Sequence, residues 1–242
     1  MTDLDVPGIP ATRATIPGYR LPGPDEIPPS RVDWQVDPRR AVLLVHDMQK
    51  YFVDFFADHA MRGQLIDNVS RLVRAARECG VPVVYTAQPG SMTKAQRGLI
   101  AAFWGAGMRA TPQQRDIVAG CTPVPGEITV PKWRYSAFAN NGLAQIITDS
   151  GRDQVIICGV FASIGCLVTA LESFSRDWET FLVADAMADF SRRDHLRALD
   201  LAARYCAVVQ SVGEVAAACH ARCASHPAGP THSNDTRKKR QS

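Results

Sequence analysis

The stretch AVLLVHD, residues 41–47, decides the fold of this chain. It opens with five apolar residues, and an unbroken apolar run is typical of a strand buried on both faces in a parallel sheet. His46 and Asp47 follow where this strand should end. Because open parallel sheets bind ligands outside the carboxyl ends of their strands, the run also predicts that Asp47 lies at a ligand-binding edge.

Outward from this run, strand patterns alternate with helical patterns. Five further strands are predicted, at residues 81–87, 127–131, 154–160, 180–186 and 206–210. Helices are predicted at residues 65–76, 96–104, 142–150, 164–176 and 191–205, and from residue 213 onwards. This alternation predicts an α/β fold: a three-layer α/β/α Rossmann-like sandwich with a six-stranded, mainly parallel sheet.

The two ends of the chain differ in composition from its centre. Residues 1–38 hold eight of the 16 prolines, which predicts an extended, irregular N-terminal arm able to pack on the domain surface. Residues 39–224 should form one folded domain. Residues 225–242 are polar and basic, and we expect them to be a disordered tail.

Composition narrows the class of protein and its partners. The net charge of +3 gives no strong field for nucleic acid or membranes, although it mildly favours an anionic ligand. Seven cysteines, an odd number, suggest reduced thiols in a cytoplasmic protein. The sequence predicts neither a signal peptide nor an apolar run of the ~20 residues that span a membrane. We find no glycine-rich phosphate loop, so the sequence does not imply a nucleotide ligand.

Three side chains at the predicted strand ends could carry chemistry. Asp47 follows the first strand and Lys132 the third, so a carboxylate and an ammonium could converge in one cleft with coupled pKa values. Cys166 follows the fourth strand, at a predicted helix start, where the helix dipole would lower its pKa. A small buried residue at a helix–sheet contact is an equally good interpretation of Cys166.

Six blocks of sequence carry a resemblance to a known family. They are VHDMQKYF (45–52), YTAQPGSMTKAQRGL (85–99), FWGAGMRATP (103–112), KWRYSAF (132–138), GVFASIGC (159–166) and VADAMADFSRRDH (183–195). In this order and spacing they resemble the isochorismatase-like hydrolase family, over roughly residues 6–215. The blocks are most similar to enzymes that release pyruvate from isochorismate or 2-amino-2-deoxyisochorismate, and residues 88–99 with 103–110 lean towards the phenazine-pathway enzyme, which takes the amino substrate.

The resemblance implies a metal-independent, cofactor-free cleavage of a vinyl ether. Asp47 would be the general acid, with its pKa raised by burial and by the substrate, and Lys132 would lie beside it with an opposing effect on that pKa. Cys166 would be a bystander. A small anionic, chorismate-derived molecule would be the ligand, and the protein would be a homodimer. The residues implied to hold the substrate are Phe52, Gln88, Arg97, Trp104, Tyr135, Phe161, Ser163 and Gly165.

The chain departs from its relatives in one block. Where they read GVYAHIGC, Phe161 replaces a tyrosine and Ser163 a histidine, which puts substrate preference in doubt. One alternative function is hydrolysis of isochorismate. A second is a cysteine amidase that uses Asp47, Lys132 and Cys166, and a third is a non-catalytic pathway partner that keeps the fold.

Overall fold

A computed structural model describes residues 15–225, with side chains described as far as residue 221. Its centre is a six-stranded sheet with the strand order β3-β2-β1-β4-β5-β6, and every pairing in it is parallel. The strands are β1 (Ala41–His46), β2 (Val83–Ala87), β3 (Ile128–Pro131), β4 (Gln154–Val160), β5 (Glu179–Ala188) and β6 (Val208–Gln210).

Helices connect the strands and cover both faces of the sheet. The α-helices are α1 (Lys50–Val53), α2 (His59–Glu78), α3 (Lys94–Arg97), α4 (Ile100–Trp104), α5 (Pro112–Arg115), α6 (Leu143–Asp149), α7 (Leu167–Phe174), α8 (Arg192–Tyr205) and α9 (Val212–Ser225). No helix in the described part of the chain is long and apolar enough to cross a membrane.

Alternate side chains of β1 enter two separate cores. Leu43 and Val45 belong to the cluster that includes α2 and α9, whereas Val42 and Leu44 belong to the cluster that includes α6, α7 and α8. Period-two alternation along a strand places these sets on opposite faces. The predicted three-layer sandwich with a six-stranded parallel sheet is therefore confirmed.

The strand order reverses between β1 and β4. From β1 the chain moves outward through β2 and β3, then returns to place β4 against the other edge of β1. Connections that leave neighbouring strands in opposite directions open a crevice at their carboxyl ends. Asp47 and Phe161 are the first residues after β1 and β4, so both lie at this crevice.

Three predicted helices differ from the observed ones. The helix predicted at residues 65–76 extends over His59–Glu78 as α2. The helix predicted at residues 96–104 is split into α3 and α4, because Gly98 has a φ of +53° that no helical residue adopts. The helix predicted at residues 164–176 begins earlier, as a π-helical turn at Ala162–Cys166 that continues into α7. Such turns are frequent at functional sites.

The described part of the N-terminal arm packs on the domain. Ile16 pairs with Phe56 in an isolated parallel bridge, and the side chains of Leu21 and Val36 are buried. Of the predicted tail, Ser225 ends α9, while the expectation of disorder beyond it falls outside the described residues.

Candidate active site

Asp47 is held in an unusual backbone conformation by its neighbour strand. Its φ is +50°, a region that few non-glycine residues adopt and in which aspartate is among the best tolerated. The hydroxyl of Thr86, on β2, donates to Asp47 Oδ1 over 2.5 Å and accepts the Asp47 backbone N–H over 3.0 Å. These two bonds fix the carboxylate at the carboxyl ends of β1 and β2.

Lys132 follows β3 and lies beside Asp47, as the sequence predicts. Its Nζ is 3.4 Å from Asp47 Oδ2 and donates to the Arg134 carbonyl over 2.5 Å. Both members of the pair are buried, at 3% and 5% exposure. A desolvated carboxylate and ammonium at this distance interact far more strongly than the same pair would in water.

The pKa of Asp47 is set by opposing influences. Burial raises this pKa, but the charge of Lys132 and the hydrogen bond from Thr86 lower it, and the net result lies below the ordinary value. The sequence left the balance between burial and Lys132 open, and in the protein without substrate it falls on the side of a lowered pKa. In this state Asp47 is a carboxylate at neutral pH.

His46 packs against Asp47 but carries no charge at neutral pH. Burial lowers the pKa of His46 to about 4. Its Nδ1 is 2.8 Å from the Val160 carbonyl, and since a carbonyl only accepts, Nδ1 carries the proton. A methyl group at Gly165 would collide with Cε1 of the buried imidazole, so only glycine fits there. Lys132 is thus the cation that faces Asp47.

Cys166 lies inside the protein and does not line the cavity described below. It is fully buried in the cluster between the sheet and α6, α7 and α8, and burial raises the pKa of its thiol well above the ordinary value. Of the two interpretations of Cys166, an activated thiol does not fit this environment, because desolvation is the largest influence on its pKa. The alternative interpretation, a small buried residue, fits.

A cavity of about 850 Å³ opens at the crevice between β1 and β4. Asp47 and Lys132 reach its wall. Most of the residues that the resemblance implies for substrate binding also line it, namely Phe52, Gln88, Arg97, Trp104, Tyr135, Phe161 and Gly165. The structure therefore brings these side chains together with the acid–base pair.

Arg97 is a buried cation in this cavity. Its Nε donates to the Gly105 carbonyl over 3.1 Å, and its terminal nitrogens lie 3.3 Å from Gln88 Oε1 and the Trp104 carbonyl. Burial lowers the pKa of its guanidinium, which nevertheless stays charged at neutral pH. The short helices α3 and α4, separated by Gly98, wrap this guanidinium.

An aromatic stack forms part of the wall of the cavity. Phe190 stacks between Phe161 and Trp104, with ring centroids 4.2 Å and 5.6 Å away, and the Trp104 indole donates to Tyr135 Oη over 2.7 Å. Sequence reasoning gave no role to Phe190. One signal could have identified it: in VADAMADF, Phe190 directly follows the last acidic residue after the fifth strand, at the ligand-binding edge of the sheet.

Ser163 does not line the cavity. Its hydroxyl donates to Asp189 Oδ1 over 3.0 Å and its backbone N–H to Asp189 Oδ2 over 2.6 Å. The side chain therefore faces the protein behind the wall, and the structure does not place it with the other implied substrate contacts.

Positive charge predominates around the cavity. The cations that line it are Arg62, Arg97, Arg109, Lys132 and Arg134, against the carboxylates Asp47 and Asp54. This excess suits an anionic ligand. Within the described residues, no group of three or more His, Cys, Asp or Glu side chains could hold a metal ion.

Fold and site together define a class: a doubly wound parallel α/β enzyme with a buried Asp–Lys pair at its switch point. An isochorismatase domain matches residues 41–214, so the chain belongs to the isochorismatase family. The resemblance carried by the six sequence blocks is thereby confirmed.

Two curated relatives and one solved structure illustrate the match. Phenazine biosynthesis protein PhzD of Pseudomonas fluorescens is 49% identical over 197 residues, which cover 81% of this chain and 95% of that protein. Isochorismatase of Bacillus subtilis is 45% identical over 190 residues, covering 78% of this chain and 61% of that protein. A crystal structure of a cysteine hydrolase from Pseudomonas syringae has a TM-score of 0.73 at 22% identity, covering 81% and 99% of the two chains. That last likeness supports the fold alone.

Proposed function

We propose that this protein hydrolyses the enolpyruvyl vinyl ether of 2-amino-2-deoxyisochorismate in a phenazine-like biosynthetic pathway. The products are pyruvate and trans-2,3-dihydro-3-hydroxyanthranilate. The observation that carries the proposal is the buried Asp47–Lys132 pair, 3.4 Å apart, on the wall of a cationic cavity. The 49% identity to a phenazine biosynthesis protein supports the choice of substrate.

The chemistry needs one acid and one water molecule. Protonated Asp47 transfers its proton to the terminal methylene carbon, which leaves an oxocarbenium ion at the carbon that bears the ether oxygen. Water adds to that carbon and returns a proton to the Asp47 carboxylate. The resulting hemiketal collapses: the bond between its ketal carbon and the ether oxygen breaks, its hydroxyl becomes the keto group of pyruvate, and the hydroxyl proton goes to the ether oxygen, which stays on the ring as an alcohol. Lys132 stabilises the carboxylate formed after the first step.

Substrate recognition follows from charge and shape. Arg97 is suited to a substrate carboxylate, because its planar guanidinium can donate two parallel hydrogen bonds. Gln88 and Tyr135 supply further polar contacts, with the backbone at Gly165. The apolar walls are Phe52, Trp104 and Phe161, and Phe190 extends them.

Isochorismate is the second candidate substrate, with 2,3-dihydro-2,3-dihydroxybenzoate and pyruvate as products. The 45% identity to an isochorismatase favours it. Amino and hydroxyl groups at C2 are similar in size, and both donate hydrogen bonds, so either substrate suits the same cavity. The cysteine amidase alternative is disfavoured, because the Cys166 thiol is fully buried and its pKa is raised.

A cytoplasmic homodimer completes the proposal. Leu99 and Phe103, beside the cavity, are 86% and 77% exposed, and a second subunit would cover such apolar surface. Cys121, Cys158 and Cys166 are buried free thiols, which suits a reducing compartment. Size-exclusion chromatography with light scattering should give a mass twice that of the 26.4 kDa chain. A monomer at micromolar concentration would contradict the dimer.

The test of function is pyruvate release, followed by coupled oxidation of NADH with lactate dehydrogenase. Both substrates are offered to the purified protein under identical conditions. We expect the higher kcat/KM with 2-amino-2-deoxyisochorismate. A higher value with isochorismate would favour the second candidate, and no release from either substrate would refute both.

A further inference from the structure

A buried carboxylate outside the proposed chemistry lies directly behind the cavity wall. Asp189 follows β5 and is fully buried. Its Oδ2 accepts the Ser163 backbone N–H over 2.6 Å, and its Oδ1 accepts the Ser163 hydroxyl over 3.0 Å and the Phe190 N–H over 2.8 Å. Oδ1 is therefore bonded to both of the segments that form the wall, and Oδ2 to the segment that contains Ser163.

Those segments carry the aromatic side of the cavity. Phe161 and Gly165, on either side of Ser163, line it, as does Phe190. The rings of Phe161 and Phe190 stack 4.2 Å apart, although they belong to different strand ends. The carboxylate of Asp189 joins these two strand ends through its hydrogen bonds to Ser163 and to the Phe190 N–H.

The N-terminal arm supports Asp189 from the other side. The Asp189 backbone N–H donates to Tyr19 Oη over 2.7 Å, and Tyr19 Oη lies 3.1 Å from His195 Nδ1. His195 is fully buried and Tyr19 is partly buried, and burial raises the pKa of Tyr19 and lowers that of His195 to about 4. The position of Asp189 is thus fixed by contacts from the arm and from α8.

Asp189 lacks a cationic partner among the described residues. Its hydrogen-bond donors are neutral, and burial raises its pKa to about 6. Burying a carboxylate with neutral partners alone is costly. That cost is consistent with a role in which the hydrogen bonds of Asp189 hold the Ser163 and Phe190 segments of the cavity wall in place.

We propose that Asp189 is a positioning residue for substrate binding, acting through Ser163 and Phe190 to hold the Phe161–Phe190 wall in register. It does not touch the substrate. The inference rests on the proposed function, because it assumes that the cavity binds the vinyl ether substrate against this wall.

The test is the Asp189→Asn variant, compared in steady-state kinetics with the wild-type protein. The amide keeps the shape of the side chain but turns an NH2 group towards an N–H or hydroxyl donor, which displaces one strand end. We expect KM to rise about tenfold and kcat to stay within about twofold, because ground-state and transition-state binding weaken together. Asp185→Asn is the matched control. Asp185 lies on β5, and its carboxylate accepts the N–H of Val212, which begins α9, over 2.7 Å rather than a donor from the cavity wall.

The outcomes separate the two proposals. If the wild-type protein releases no pyruvate, the proposed function fails. If it is active and Asp189→Asn has an unchanged KM, or shifts KM no more than Asp185→Asn does, the positioning role is overturned. If Asp189→Asn does not fold, Ser163→Ala carries the test, since it removes only the hydroxyl bond. We expect it to raise KM about threefold, and an unchanged KM would overturn the role.

Discussion

At the scale of single residues, the proposed chemistry depends on the protonation state of Asp47, because Asp47 must be neutral when it protonates carbon. In the protein without substrate, burial raises the pKa of Asp47, yet Lys132 and Thr86 together bring it below the ordinary value. An anionic substrate changes this balance, since its carboxylates compete for Lys132 and add negative charge. We infer that the proton on Asp47 arrives together with the substrate.

Proton uptake on binding is therefore the first prediction. A saturated ether analogue, in which a lactyl group replaces the enolpyruvyl group, binds but cannot accept a proton on carbon. Titration calorimetry at pH 7 in buffers of different ionisation enthalpy should give an uptake of about one proton per site. Asp47→Asn should take up none. Binding without proton uptake in the wild-type protein would contradict a neutral Asp47 in the complex.

The second prediction separates the roles of Asp47 and Cys166. Asp47→Asn removes the acid and should lower kcat by about 10²–10⁴-fold, the usual contribution of a general acid. Cys166→Ala should keep kcat within about threefold and lose about 1 kcal/mol of stability through the small cavity it leaves. The measurements are pyruvate release and urea denaturation. Loss of pyruvate release in Cys166→Ala with an intact fold would contradict the bystander role of Cys166.

At the scale of elements, the segment from α3 to Gly107 matters most, because it encloses Arg97. A methyl group built on Gly107 would lie 2.8 Å from Arg97 Cζ, and the φ of Gly107 is +75°. Neither the break between α3 and α4 nor this close approach follows from helical periodicity. Both depend on glycines whose backbone conformation the surrounding fold determines.

Gly107→Ala is the element-scale prediction. The new methyl group displaces the guanidinium, so KM should rise about tenfold, because binding of a substrate carboxylate weakens. Gly151→Ala is the control, since Gly151 has a φ of +66° and no atom within 4 Å of the new methyl group. Both variants should lose about 1–2 kcal/mol of stability from backbone strain. If Gly107→Ala and Gly151→Ala changed KM equally, backbone strain and not displacement of Arg97 would explain the effect.

Strands and site were predictable from sequence to different degrees. The apolar runs locate all six strands, and the strand ends deliver Asp47 and Lys132 to one edge. The inward turn of Ser163 could not be predicted, because it depends on Asp189, which is 26 residues away in sequence. The net pKa of Asp47 likewise depends on a balance between burial and Lys132 that only distances determine.

At the scale of the whole molecule, buried histidines make stability depend on pH. Burial lowers the pKa of His195 from 6.5 to about 4. Below pH 6.5 the unfolded chain binds a proton that the folded protein does not bind until about pH 4. The stability contributed by neutral His195 is therefore present above pH 6.5 and is lost as the pH falls towards 4, by about 3 kcal/mol.

His195→Gln tests this dependence. Glutamine binds no proton in this range, so the variant lacks that part of the acid sensitivity. Urea denaturation gives the free energy of unfolding of both proteins. The difference between the wild-type protein and the variant should shrink by about 3 kcal/mol between pH 7 and pH 4. His59→Gln, at an exposed position, is the control. A difference in free energy of unfolding that does not change with pH would contradict a neutral, buried His195.

The backbone conformation of Asp47 bears on how the protein would respond to directed evolution. A side chain at a φ of +50° costs about 1–2 kcal/mol relative to glycine, and the buried Asp47–Lys132 pair adds a desolvation cost. A library screened for heat resistance alone would therefore enrich glycine at position 47 together with an apolar residue at position 132. Such descendants would keep the sandwich and lose turnover, so only a screen that scores pyruvate release would retain both residues.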